Sequence, residues 1–154
     1  MEVINEKESI LDNKVINLNL NATTKEEVIR EMATMLYEEN YLMDLDGFIE
    51  DVYEREQEGI TGMGNNVAIP HGKSDSVLKA GIAIGKTASL VEWESYDEQP
   101  VNLFFLFAVP SDVEGAKLHL RLLSKVAVRL SDDELLEQIK KTCSSEEVVN
   151  LLNI

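Results

Sequence analysis

The sequence predicts an α/β fold, a three-layer α/β/α sandwich with a mixed central β-sheet and helices on both faces. Three observations carry that expectation. Helical periodicity fills the chain up to about residue 58 and returns after residue 115. Between them lie short apolar runs bounded by glycine, proline or acidic turns. Within the last of these, Val101-Asn102-Leu103-Phe104-Phe105-Leu106-Phe107-Ala108-Val109, every residue but Asn102 is apolar. Such a strand is covered on both faces, so helices must pack above and below it. At 154 residues the chain reads as a single domain over positions 1–154, long enough for a substantial core and too short for two.

In chain order, Val15-Ile16-Asn17-Leu18 reads as a short strand. Thr24 and Glu27 have the spacing of a capping box ahead of Val28, Met32 and Leu36 on one face, which predicts a helix over 25–40. A second helix over 46–58 turns Phe48, Ile49, Val52 and Tyr53 inward, carries Glu50, Glu54 and Arg55 on its polar side, and stops at Gly59. Strands are expected at 67–69, 81–84, 90–93 and 101–109, with Asp97-Glu98-Gln99-Pro100 as an antiparallel turn into the last. Leu118, Leu122, Val126 and Leu130 then mark a helix over 115–130. Ser131-Asp132-Asp133-Glu134 opens another, and a terminal helix begins at Ser144 or Ser145.

Composition excludes several functions. A formal charge of −15, with pI near 4.4, repels nucleic acid and anionic lipid and favours basic protein surfaces. The longest apolar run, 103–110, is far too short to span a bilayer, and the acidic amino terminus lacks the basic start and apolar core of a signal peptide. A cytoplasmic protein without membrane insertion is expected. The lone Cys143 offers neither an internal disulfide nor a thiolate ligand set and is expected to be a buried small hydrophobe. The two histidines lack His-x-x-x-His spacing, and no Gly-x-x-x-x-Gly-Lys-Ser/Thr loop is present. Neither a zinc hydrolase nor a nucleotide as phosphoryl source is indicated, and no metal or cofactor is expected.

The chemistry concentrates in Gly62-Met63-Gly64-Asn65-Asn66-Val67-Ala68-Ile69-Pro70-His71-Gly72. Imidazole is the one side chain whose ordinary pKa makes it a neutral nucleophile near pH 7, so His71 is a candidate to attack phosphorus. Pro70 fixes its own φ and biases Ile69 toward extended backbone, setting His71 on a rigid turn. Gly72 admits close approach and an accessible N–H, and the glycines with Asn65 and Asn66 supply donors suited to an oxyanion. Asn66 and Gly72 are therefore candidate phosphoryl contacts. Each residue also has a plainer reading. Pro-His-Gly is compatible with a simple turn, and Arg55 among Glu54, Glu56 and Glu58 with a solvated, salt-bridged face. His119 between Leu118 and Leu120 suits a half-buried helical position, and Lys73 a solvated one. Trp93 and the Phe104-Phe105-Phe107 group read as core.

Several blocks together resemble one family. They are Arg55-Glu56, the run from Gly64 to Gly72, Trp93, Pro100-Val101, Phe105-Leu106-Phe107-Ala108-Val109-Pro110, and His119-Leu120 ahead of Leu122-Leu123-Ser124-Lys125-Val126-Ala127. In these the chain is similar to the enzyme IIA proteins of the bacterial phosphotransferase system, of the fructose/mannitol type, nearly throughout its length. The resemblance implies a phosphotransferase working as a phosphohistidine relay. His71 would take a phosphoryl group from the histidine phosphocarrier protein, on Nε2, and pass it to a cysteine of an enzyme IIB. His119 would orient the imidazole or bond the phosphoryl group, and Arg55 would supply positive charge. A phosphoryl group adds about −1.5 to −2 charges, which an acidic protein must offset locally.

No cysteine here has the Cys-Pro context of an acceptor IIB, so IIB and the membrane component IIC are expected as separate chains. Fructose, mannitol and galactitol-like sugars all fit the resemblance. So does a regulatory module of the nitrogen-related branch, whose phosphorylation state controls a partner protein. A hydrolase with His71 as general base lacks a nucleophile or metal set.

Overall fold

Alternate side chains of the long apolar strand enter two separate cores, which makes the sheet the middle layer of three. The computed structural model describes residues 10–154. After a 3₁₀ turn at Asn13–Val15 come β1 (Ile16–Leu20), α1 (Lys25–Glu38) and α2 (Leu45–Glu58). Four strands follow before the long one: β2 (Gly62–Gly64), β3 (Val67–Ala68), β4 (His71–Ser74) and β5 (Gly81–Val91). The long strand is β6 (Val101–Pro110), succeeded by α3 (Val113–Leu130), α4 (Asp133–Lys141) and α5 (Ser145–Leu152).

The sheet runs β1-β5-β6-β3-β2, with β4 also on β6. It is mixed: β1 lies parallel to β5, β5 antiparallel to β6, β3 and β4 parallel to β6, and β2 antiparallel to β3. From β6, Phe104, Leu106 and Ala108 join Val28, Ile29, Met32 and Leu36 of α1 and Phe48, Ile49 and Val52 of α2. Leu103, Phe105, Phe107 and Val109 join Leu122, Val126 and Leu130 of α3, with Leu136, Ile139, Val148 and Leu152 beyond them. The predicted α/β/α sandwich is the observed fold, and period-2 alternation on a strand buried on both sides is its cause.

Among the described residues, side chains start each of the five α-helices. Thr24, Asp44, Asp112, Asp132 and Ser144 each accept a backbone N–H in the first turn, satisfying donors the helix itself leaves free. Glu27 bonds the N–H of Thr23 at 2.8 Å, one residue earlier than the box spacing predicts.

Three expectations need correction. The first strand begins at Ile16, because Asp12 caps a 3₁₀ turn over the three residues before it. Segments 81–84 and 90–93 are not two strands: β5 runs unbroken from Gly81 to Val91, with irregular pairing between Lys86 and Val91. The polar residues that resembled a break serve another end, since Lys86 donates to the carbonyls of Lys140 at 2.8 Å and Thr142 at 2.6 Å, closing the C-terminus of α4. Gly59 ends α2 as expected, in extended backbone at φ 173°. Cys143 is exposed on the link between α4 and α5, not buried.

Candidate functional site

His71 opens a strand and does not ride on a turn. β3 and β4 share one edge of β6 in one register, since Ala68 pairs with Phe104 and His71 with Phe107, an offset of 36 in both cases (104 − 68 and 107 − 71). The two are separated where Pro70, lacking an N–H, still accepts from Phe107 at 3.0 Å. Strand alternation then sends His71 and Lys73 toward α3, and Gly72 toward α2. A Cβ on Gly72 would lie 2.8 Å from both Phe48 and Val52, so the glycine's smallness serves helix packing. Its backbone N–H, the candidate phosphoryl contact, belongs to the strand paired with β6 rather than to that packed side.

The asparagines also have structural work. Asn65 and Asn66 take φ of 57° and 66°, the paired left-handed conformations of a two-residue hairpin turn joining β2 to β3. Asn66 Nδ2 donates to the Pro100 carbonyl at 2.8 Å, and the Asn66 carbonyl accepts from Asn102 and Leu103. The amide cluster that suggested an oxyanion site therefore builds a turn and ties it to β6.

Arg55, His71 and His119 do meet. Arg55 stands in the last turn of α2 and donates Nε–H to Nε2 of His71 at 3.0 Å, with Nη1 reaching the Gly59 carbonyl at 3.3 Å. It makes no ion pair among the described residues, because Glu56, its neighbour, turns away to Lys25. The salt-bridged-face reading of Arg55 is thereby set aside. The rings of His71 and His119 lie 4.7 Å apart at 38°, and Phe107 meets His119 edge-on at 5.4 Å. His119 sits in the second turn of α3, on the side of the helix that packs toward β6.

A bond accepted by Nε2 fixes the protonation state. The Nε2 lone pair faces Arg55, so the neutral ring carries its proton on Nδ1. Burial first, then the neighbouring His119 and Arg55, depress the His71 pKa to about 4. The Ile69 carbonyl acts in the opposite sense, yet Nδ1 reaches no acceptor at hydrogen-bond geometry. His119 is also lowered, by burial and then by Arg55 and Lys73. Lys73, which reads from sequence as simply solvated, is exposed but electrostatically part of this group. The signal available for it was the two-residue spacing from His71 along a strand.

These shifts predict a pH dependence. His71 titrates near 6.5 in the unfolded chain and about 4 in the folded one, so the unfolded state binds more protons between those values. Stability is expected to fall as pH drops from 6.5 toward 4, and His71→Gln to flatten that slope. Urea unfolding at half-unit pH intervals, with NMR titration of the ring, checks both. A His71 midpoint above 6 would contradict burial of the ring against Arg55 and His119.

Among the described residues no group of three or more His, Cys, Asp or Glu side chains is placed to hold a metal, and no helix is long and apolar enough to cross a membrane. The family model for the phosphoenolpyruvate-dependent sugar phosphotransferase system, EIIA 2, matches residues 9–154. The chain belongs to that family. It is 35% identical over 145 residues to the fructose-specific EIIABC component of Bacillus subtilis, a match covering 94% of this chain and 22% of that longer protein. The crystal structure of nitrogen regulatory protein IIA-Ntr from Neisseria meningitidis superposes with a TM-score of 0.84 at 34% identity, covering 93% of this chain and 96% of that one. The Escherichia coli enzyme IIA-Mtl, solved in complex with phosphorylated enzyme IIB-Mtl, superposes with a TM-score of 0.78 at 26% identity, covering 92% and 96%. An EIIA family chain is thus part of a phosphotransferase system, and an EIIA relative is known in complex with a IIB.

Proposed function

We propose that this chain is a phosphocarrier in which His71 Nε2 accepts a phosphoryl group from the histidine phosphocarrier protein and passes it to a cysteine of an enzyme IIB. The observation that carries the reading is the Arg55 Nε–His71 Nε2 bond, which marks an unprotonated lone pair on a half-buried ring beside cationic and imidazole donors. In the first transfer the Nε2 lone pair forms a bond to phosphorus as the donor's nitrogen–phosphorus bond breaks and its electron pair returns to the donor ring. Arg55, displaced from Nε2, is then within reach of the new phosphoryl oxygens, where a charge-assisted bond is stronger than the one it gave up. In the second transfer the acceptor thiolate attacks phosphorus, and the pair of the breaking bond returns to Nε2. His119 flanks the ring and orients it or bonds the phosphoryl group.

The depressed His71 pKa supports this role, because the ring stays neutral and nucleophilic throughout the physiological range. The partner components and the cytoplasmic setting belong to the same proposal, and family membership supports them. The fructose-specific relative favours fructose, with mannitol and galactitol-like sugars as the other members of the class. Incubation with phosphoenolpyruvate, enzyme I and the histidine phosphocarrier protein is expected to give an acid-labile adduct that a cognate IIB discharges. His119→Ala should slow discharge about a hundredfold in single-turnover transfer, the scale of one lost transition-state donor. Unchanged transfer would refute that role.

A regulatory reading has its own support in the superposition on nitrogen regulatory IIA-Ntr. In it the same His71 chemistry sets a signal that a partner protein reads. Affinity capture that recovers a regulator and no IIB would favour it, whereas neighbouring genes for IIB and membrane IIC components would favour sugar uptake.

A further inference from the structure

A chain of buried polar contacts lies behind Arg55, outside the set of residues that touch the imidazoles. The Glu56 carboxylate, only 7% exposed, takes the Lys25 ammonium at 2.8 Å and the Thr61 hydroxyl at 2.8 and 3.0 Å. Thr61 has one hydroxyl proton and spends it on Glu56, so its oxygen is free to accept the Trp93 indole N–H at 2.9 Å. Lys25 also bonds Glu94 at 2.6 Å and lies 4.9 Å over the Trp93 ring. Burial draws the Lys25 pKa down, but Glu56 and Glu94 outweigh it and hold it above its ordinary value. The direction of every hydrogen is therefore set: indole to hydroxyl, hydroxyl to carboxylate, ammonium to both acids.

Both arms of the phosphoryl site hang on this chain of contacts. Arg55 and Glu56 are consecutive in the last turn of α2, so holding one carboxylate fixes the rotation of that turn and the direction in which Arg55 leaves it. The Gly59 carbonyl that receives Arg55 Nη1 lies two residues before Thr61. The Thr61 carbonyl accepts from Ile69 at 3.0 Å, two residues before His71. One three-residue strap thus anchors the guanidinium on one side and the approach to the nucleophile on the other.

We propose that the Lys25–Glu56–Thr61–Trp93 network positions the Arg55 guanidinium on His71 Nε2, with Glu56 and Thr61 as positioning residues. The inference rests on the phosphocarrier reading for its effect on rate but not for its effect on geometry. Thr61→Val keeps the branched shape and removes the hydroxyl that joins Trp93 to Glu56. With the strap loosened, Arg55 drifts from Nε2, one cause of the depressed ring pKa is lost, and the His71 midpoint moves up from about 4 toward 6.5. Phosphoryl uptake falls roughly tenfold, as expected for a shift well under 1 Å in a reacting group. Thr61→Ser returns the hydroxyl and restores both readings to within about twofold of the parent rate.

The test is NMR titration of the His71 ring in the parent, Thr61→Val and Thr61→Ser chains, each followed by timed phosphorylation from the histidine phosphocarrier protein. A raised midpoint and slowed uptake in Thr61→Val, both reversed in Thr61→Ser, support the proposal. A folded Thr61→Val with unchanged midpoint and rate overturns it, as does a Thr61→Ser that behaves like Thr61→Val. If Thr61→Val does not fold, Trp93→Phe, which removes the indole donor and keeps an aromatic ring at the position, carries the same two readouts. A parent chain that takes up no phosphoryl group would end the phosphocarrier reading while the titration still decided the network.

Discussion

His71→Ala is expected to abolish the acid-labile adduct, with phosphoryl uptake down by more than about a thousandfold, the effect of deleting a nucleophile that no neighbour replaces. His119 is the obvious rival acceptor, since its ring is only 4.7 Å away. The two differ in where their lone pairs point. His71 Nε2 is held by Arg55 and so is deprotonated and aimed at the cation that will meet the phosphoryl charge. The Nδ1 of His119 is buried without a partner, and no donor marks a lone pair on that ring among the described contacts. An adduct that survives in His71→Ala and vanishes in His119→Ala would reverse the assignment. The variant should fold, because His71 is half-buried at the first position of an edge strand and contributes no side chain to either core cluster.

How far the sequence discloses this site depends on which interactions are local. The run Gly64 to Gly72 announces a special backbone because glycine, proline and paired asparagines restrict local conformation whatever lies around them. It does not announce strand β4, whose four residues His-Gly-Lys-Ser have none of the apolar alternation that marks a strand. Only pairing with Phe107 to Pro110 makes them one. Arg55 illustrates the same limit from the other side. Three glutamates lie within three positions of it, yet neighbours at i±1 on a helix face different ways, and Glu56 is claimed by Lys25 from a separate helix. The meeting of residues 55, 71 and 119 is written in the order of strands and the packing of α2 and α3 on opposite faces. Spacings of 16 and 48 positions carry no trace of it, so family resemblance supplied what periodicity left out.

Phe104→Ala should be the most costly single truncation on the α1–α2 side of the sheet. Phe104 is fully buried, and its ring packs 5.3 Å from that of Trp93. Its partners on the two flanking strands are Ala68 and Gly85, the smallest residues available. Neither can extend into the space a missing phenyl leaves, so the cavity stays open and the cost lies in the range of about 3–5 kcal/mol seen for such deletions. For a chain of this length each 1 kcal/mol moves the melting temperature by about 2–4 °C, which predicts a fall of roughly 6–20 °C. Phe104→Leu, which keeps most of the volume, should cost less than about 1.5 kcal/mol. Urea titration at pH 7 separates the outcomes through a lower midpoint at unchanged slope. A loss below about 1 kcal/mol in Phe104→Ala would mean that the facing helices close onto the sheet. The small residues beside Phe104 would then not be what determines its weight in the core.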